Sequence, residues 1–274
     1  MILLNSKKRL ITLLIVLVCG IIIFFLGLGT TGLVDETPPL FAAAARAMSE
    51  SGDWLTPKVN GIFRFDKPPL IYWLMGFFYS LPKNEIWDNF GTLSARLPSA
   101  LASLFLMLMI GDTLFCWPQN SNRQFLTPIV ASLGFALSPL IIIWSRTAVS
   151  DALLTGILGI SLLLFWRRMA SENNDQCISA WVFLGFAILV KGPVAFVLAL
   201  LTITSFLFCQ KDWKTLLSKI KPKKGFLITI LISVPWYLLE LLKEGKPFWD
   251  NFFGYHNFQR YTSVVNNHAE PFWF

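Results

Sequence analysis

Charge is scarce in this sequence. Only 14% of its 274 residues are Asp, Glu, Lys or Arg, while 55% are hydrophobic and 15% aromatic. No soluble domain of this length needs so apolar a composition, and several runs approach or exceed the roughly 18 residues that cross a bilayer. The chain therefore reads as an integral membrane protein. Signatures of nucleotide and hydrolase chemistry are missing: there is no Walker loop, no GxGxxG after a strand, no nucleophile elbow and no HExxH. The four cysteines, Cys19, Cys116, Cys177 and Cys209, are scattered, and a disulfide framework needs paired thiols in an oxidising compartment. They read as bland apolar residues. No internal repeat is visible, which argues against the repeated halves common in transporters.

Seven spans are expected, at about 10–28, 93–115, 125–144, 152–167, 178–191, 193–209 and 225–242. Lys7, Lys8 and Arg9 precede the first. A signal peptide is the rival reading there, but the run is longer than a typical h-region and no A-x-A-like site follows, so a retained helix is favoured. The net charge of +7 needs no nucleic acid, because Lys and Arg collect in cytoplasmic loops. With the N-terminus inside, the four cytoplasmic pieces hold 12 of the 23 basic residues, six of them in Lys211–Lys224. Trp117, Trp144, Trp166, Trp181 and Trp213 then fall near span ends. The resulting organisation is residues 1–28 as N-terminal segment and first span, 29–91 as first outer loop, 92–242 as a bundle of about six helices, and 243–274 as the start of a second outer loop. Within the first loop, Ala-rich Leu40–Ser51 suits a surface helix. Pro68 and Pro69 suit the first turn of another over Leu70–Leu81.

This topology sends Asp35, Glu36, Arg64, Asp66, Lys67, Arg146, Asp151, Lys191, His256 and Arg260 to one face. Each has a bland reading beside a functional one. Asp35-Glu36 is either solvated loop or a general base that needs partial burial and tuning partners. Arg64 and Lys67 either snorkel and pair Asp66 or, with the prolines fixing their direction, hold a lipid phosphate. Asp151 suits a helix cap as well as a catalytic acid. Lys191 interrupts an apolar run before Gly192-Pro193. It sits either in one kinked span or, as preferred, at a tight turn between two, and at depth it must face a polar cavity or a carboxylate. His256 and Arg260 are one helical turn apart, and a hydrogen-bonding His is favoured over a metal ligand.

Taken together, Val34-Asp35-Glu36-Thr37, Phe41 to Arg46 with Met48, Gly52-Asp53-Trp54, Pro57, Asn60-Gly61 and Phe65 to Leu74 resemble a known family. Ala95 to Ser99, Asp151, Val190 to Pro193 and the His256–Arg260 stretch continue the match. The sequence is similar to the polyprenyl-phosphate-sugar glycosyltransferases, which include the bacterial aminoarabinose transferases and protein O-mannosyltransferases. That resemblance implies an all-α integral membrane GT-C-type bundle with amphipathic surface helices in its first outer loop. It implies transfer of a sugar, with inversion, from a polyprenyl-phosphate donor to a lipid, glycan or protein acceptor on the periplasmic side of the inner membrane. By position, Asp35 is the loop-one catalytic acid with Glu36 beside it, and Asp151 is the second. Lys67 and Lys191 would hold the donor phosphate, with Arg64, Arg260 and Tyr72 as further contacts. Asp66 and His256 match positions where a divalent metal cation binds in some relatives, so the resemblance permits a metal without requiring one. Many relatives carry Glu where this chain has Pro39 or Ala43, and they continue through further spans, so the chain reads as C-terminally truncated. An inactive remnant, or a transporter or scaffold, is the competing expectation.

Overall fold

A computed structural model describes residues 2–82, 84–117, 123–171 and 176–259. The chain is a helical membrane bundle. Helix α1 (Ile2–Phe25) is followed by α2 (Thr37–Ser51), a two-stranded ribbon β1–β2 (Lys58–Val59, Ile62–Phe63), α3 (Leu70–Tyr79), α4 (Asn84–Trp87) and α5 (Thr92–Cys116). Next come α6 (Leu126–Ala136), α7 (Pro139–Ser145), α8 (Ser150–Ala170), α9 (Gln176–Lys191) and α10 (Pro193–Phe208). Finally, α11 (Trp213–Lys219), α12 (Pro222–Glu244) and α13 (Lys246–Trp249) lead into a π-helical segment, Asp250–Gln259.

Four described helices, α1, α5, α8 and α12, are long and apolar enough to cross a membrane. The single span expected at 125–144 is instead broken: α6 and α7 meet at 66°. The break has a local cause, since Pro139 lacks an N–H and Ser138 before it is extended, with ψ 129°. The span expected at 152–167 runs longer, from Ser150 to Ala170. Helices α9 and α10 have 16 residues each, or about 24 Å at 1.5 Å per residue, less than a full hydrocarbon thickness. The tight turn expected between them is present at Gly192, whose φ of 76° and ψ of −153° suit only glycine.

Helix α8 packs between α5 and α9. Gly156 lets α8 approach α5 until a Cβ there would strike the carbonyl and Cβ of Ala102. Helix α2 buries Phe41, Ala44, Ala45 and Met48, the stripe its spacing predicts, against α3, whose Ile71, Tyr72 and Met75 are fully buried. Pro69 opens α3, its carbonyl accepting the N–H of Trp73 at 2.9 Å. The ribbon had a legible signal that the sequence reading passed over: Asn60-Gly61 between Val59 and Ile62. Both turn residues have positive φ, 51° and 80°, as a tight hairpin requires.

The loop before the ribbon is tied to α12. Asp53 accepts hydrogen bonds from Lys58 at 3.0 Å and Lys243 at 3.1 Å, Trp236 donates to the Leu55 carbonyl, and Thr56 donates to Glu240. At the opposite end of the bundle Asp112 bridges Arg9 at 2.6 Å and Arg167 at 2.9 Å. The described cysteine side chains are all free thiols.

Candidate functional site

The C-terminal end of α1 is where the site begins. Helix carbonyls there have no partner within the helix and carry the negative end of the dipole. One arginine takes carbonyls at that end, and a second takes carbonyls of the segment that follows it. Arg146 donates to the carbonyls of Ile23 at 3.0 Å and Leu26 at 2.7 Å. Arg96, from α5, donates to those of Leu28, Thr31 and Gly32 at 2.7–2.8 Å. Arg146, expected among the site's charges, is therefore a capping residue. The chain leaves this clamp for Asp35, which sits at φ 77°, a region that costs a non-glycine residue of order 1–3 kcal/mol. Its carboxylate accepts the Glu36 N–H at 2.7 Å. Glu36, expected to share the acid's role, is exposed and does not border the cavity described below.

The Arg64-Asp66-Lys67 segment follows the ribbon. Arg64 pairs with Asp66 at 2.8 Å. The Tyr72 hydroxyl accepts from Arg64 Nε at 3.1 Å and donates to Asp66 Oδ1 at 3.0 Å. Tyr72 is 0% exposed, its ring stacked on Phe41 at 5.2 Å, and Arg64 lies over that same Phe41 ring. The expectation that Tyr72 touches substrate is thus corrected: it is a strut beneath two charges, out of reach from the cavity. Burial pushes its pKa far above the ordinary value, with Asp66 adding to the rise, so it stays a neutral donor. Burial pulls Arg64 down, but Tyr72 and Asp66 outweigh it and hold the guanidinium above its usual value. The Lys67 ammonium donates to the Asp66 carbonyl at 3.1 Å.

Asp151 lies in the first turn of α8, and Lys191 is the last residue of α9. Their side chains meet at 2.6 Å, with 43% and 31% of each exposed. The pairing supplies the carboxylate that a lysine in an apolar run needs.

These groups converge. A cavity of about 820 Å³ is lined by Asp35, Arg64, Asp66, Lys67, Asp151, Lys191 and His256. Phe41, Trp144, Val149, Val194 and Phe252 add apolar wall to it. Arg260 lies outside the described residues. As for a metal, Asp66 and His256 both border the cavity, but no group of three His, Cys, Asp or Glu side chains is placed to hold an ion among the described residues. Both Asp66 oxygens already accept hydrogen bonds. Two such ligands fit only a cation whose shell is completed by water or phosphate.

Sequence reasoning missed the clamp and the strut. A buried arginine in the first turns of an apolar helix, as at Arg96, is a signal for the first. Nothing local distinguishes Tyr72 from a cavity-facing tyrosine.

A sequence model described as dolichyl-phosphate-mannose-protein mannosyltransferase matches residues 66–238. An undecaprenyl phosphate-alpha-4-amino-4-deoxy-L-arabinose arabinosyl transferase of Pseudomonas aeruginosa (strain LESB58) is 26% identical over 88% of this chain and 42% of its own length. An uncharacterised protein of Aquifex aeolicus is 30% identical over 83% of this chain and 48% of its own. The crystal structure of ArnT from Cupriavidus metallidurans bound to undecaprenyl phosphate aligns with a TM-score of 0.79 at 23% identity, covering 91% of this chain and 45% of that one. The chain spans about half the length of the relatives it matches.

Proposed function

The chain belongs to the dolichyl-phosphate-mannose-protein mannosyltransferase family, and from that premise we propose that it transfers a sugar from a polyprenyl phosphate to an acceptor at the periplasmic face of the inner membrane. Its fold is the GT-C-type membrane bundle expected from the sequence. The relatives' names speak of an undecaprenyl phosphate carrier, so that carrier is the donor lipid to test.

One observation carries the reading: seven ionisable side chains from separate segments line one cavity at one end of the bundle. The donor's tail lies in the bilayer, so its phosphate sits at membrane-surface height. Lys67 and Lys191 hold that phosphate, and Asp151 fixes Lys191 in place. As the anomeric C–O bond breaks, the electron pair goes to the phosphate oxygen, and the two ammonium groups stabilise it. Such a contact, formed most strongly in the transition state, contributes about 2–4 kcal/mol. Asp35 orients the acceptor and takes its proton as the acceptor oxygen attacks from the opposite face, inverting the anomeric centre. An acceptor that is itself a phosphate needs no base, and Asp35 then positions it. The scheme runs without a metal. Asp66 and His256 are the residues that would hold a divalent cation, which would supply further charge neutralisation at the phosphate.

The test is transfer from labelled undecaprenyl-phosphate sugars in membranes carrying the protein. Asp35→Asn and Lys67→Ala should each lower turnover by 100-fold or more, the loss of about 2.7 kcal/mol or more, with membrane insertion intact. Near-normal turnover in either refutes the assignment of that residue.

A further inference from the structure

A second cavity, of about 520 Å³, shares Arg64, Asp66 and His256 with the first and is completed by Phe63, Pro247 and Asn251 among others. We propose that this second cavity is the acceptor's chamber, and that it takes a neutral saccharide whose reacting hydroxyl projects past Asp66 and His256 into the first. The assignment rests on the reading above, in which the donor phosphate lies with Lys67 and Lys191.

Charge separates the two cavities. Lys67 and Lys191 line only the first. Among the described residues lining the second, Arg64 is the sole Lys or Arg, and Asp66 neutralises it at 2.8 Å. A phosphate monoester there would give up hydration without gaining a matching cation, a large desolvation cost. Sugar hydroxyls have no such requirement. They need a few polar groups set along an apolar wall, the usual composition of a small-molecule pocket of this size. Asp66, His256 and the Asn251 amide supply the polar groups.

The apolar wall is open. Phe63 stacks on Phe65 at 5.5 Å, with ring planes 17° apart. It stays 45% exposed, and neighbouring Ile62 is 73% exposed. The tight turn at Asn60-Gly61 sets the ribbon that carries both residues, and both line the cavity. Shared walls also give the chamber its reach, because a ligand against Asp66 in one cavity borders whatever Asp66 faces in the other. The transfer balances as before: the hydroxyl oxygen bonds to the anomeric carbon, the phosphate leaves with the electron pair, and the proton goes to Asp35.

The experiment supplies labelled undecaprenyl-phosphate sugar with three acceptors in parallel: n-octyl glucoside, a phosphorylated lipid A and a Ser/Thr peptide. Label on octyl glucoside is expected. Phe63→Ala and Asn251→Ala, both at exposed positions, should each raise the KM for octyl glucoside at least fivefold while the KM for donor stays within twofold. Label found only on lipid A or only on peptide overturns the proposal, as does an octyl glucoside KM unmoved by both variants. A diazirine derivative of octyl glucoside gives a readout independent of turnover. It should photolabel residues 62–66 or 247–256, and labelling confined elsewhere overturns the chamber. Absence of transfer to every acceptor by the unsubstituted protein, with photolabelling still in the chamber, overturns the functional reading and leaves the saccharide site standing.

Discussion

Tyr72→Phe isolates a single oxygen. The substitution keeps the ring, so the stacking on Phe41 at 5.2 Å and the filling of a fully buried space persist. It removes one donor and one acceptor, the hydroxyl's contacts to Asp66 at 3.0 Å and to Arg64 at 3.1 Å. Hydrogen bonds to charged groups contribute about 1.5–3 kcal/mol each, and the Tyr72 side chain that makes them is fully buried. The direct Arg64–Asp66 contact at 2.8 Å survives and softens the loss, so the expected destabilisation is about 2–3 kcal/mol. Tyr72→Ala would add the cost of a cavity, about 3–5 kcal/mol for an aromatic side chain. The assay is denaturant unfolding of the solubilised protein, read beside transfer kinetics. Arg64 and Asp66 face the cavity, so turnover should fall roughly tenfold, with donor KM changed less than turnover. A Phe variant within about 0.5 kcal/mol of the parent, with unchanged turnover, would refute the strut.

Other perturbations test the remaining parts. Gly192→Ala forces a side chain into a backbone conformation open only to glycine and should cost about 1–3 kcal/mol, shifting Lys191 off Asp151 and lowering turnover in the same transfer assay. Arg96→Met strips donors from the carbonyls of Leu28, Thr31 and Gly32. The Leu28 contact is buried, and a buried acceptor left unpaired costs about 1–3 kcal/mol, so hydrogen exchange at residues 28–35 should rise sharply, and unchanged protection would dismiss the clamp. Asp53 gives a pH test. Burial pushes its carboxyl up, but hydrogen bonds from Lys58 and Lys243 and from the Leu55 and Thr56 amides outweigh it and hold the pKa well below the ordinary value. A depressed folded pKa means stability that is complete above about pH 4 and lost as pH falls further. The loop before the ribbon should therefore loosen from α12 on acidification, measured by proteolysis. Asp53→Asn should remove that pH dependence.

Much of the site was legible because membrane burial makes every charge conspicuous. Lys191 stands out within an apolar run as a charge that needs a polar cavity or a carboxylate, and the structure gives it Asp151 at 2.6 Å. Asp35, Lys67 and His256 were sent to one face by counting spans, and all border one cavity. The failures share a cause. Arg146 looked like one more charge at that face, but it spends its donors on carbonyls 120 residues away. Glu36 follows Asp35 in sequence but does not border the cavity that Asp35 lines. Tyr72 carries the same residue type whether it faces a ligand or props an arginine.

By itself, the amino-acid order fixed what depends on sums along the chain: apolar length, basic loops, the prolines and glycines that break helices, and hence which charges share an end of the bundle. The folded molecule alone decided the long-range partnerships, such as Lys191 with Asp151, 40 positions apart, and Arg146 with the Leu26 carbonyl, 120 apart. Those pairings follow from how helices settle against one another, and no local periodicity records it. Even the break between α6 and α7 has its local origin at Pro139, but its 66° angle is visible only in the folded molecule.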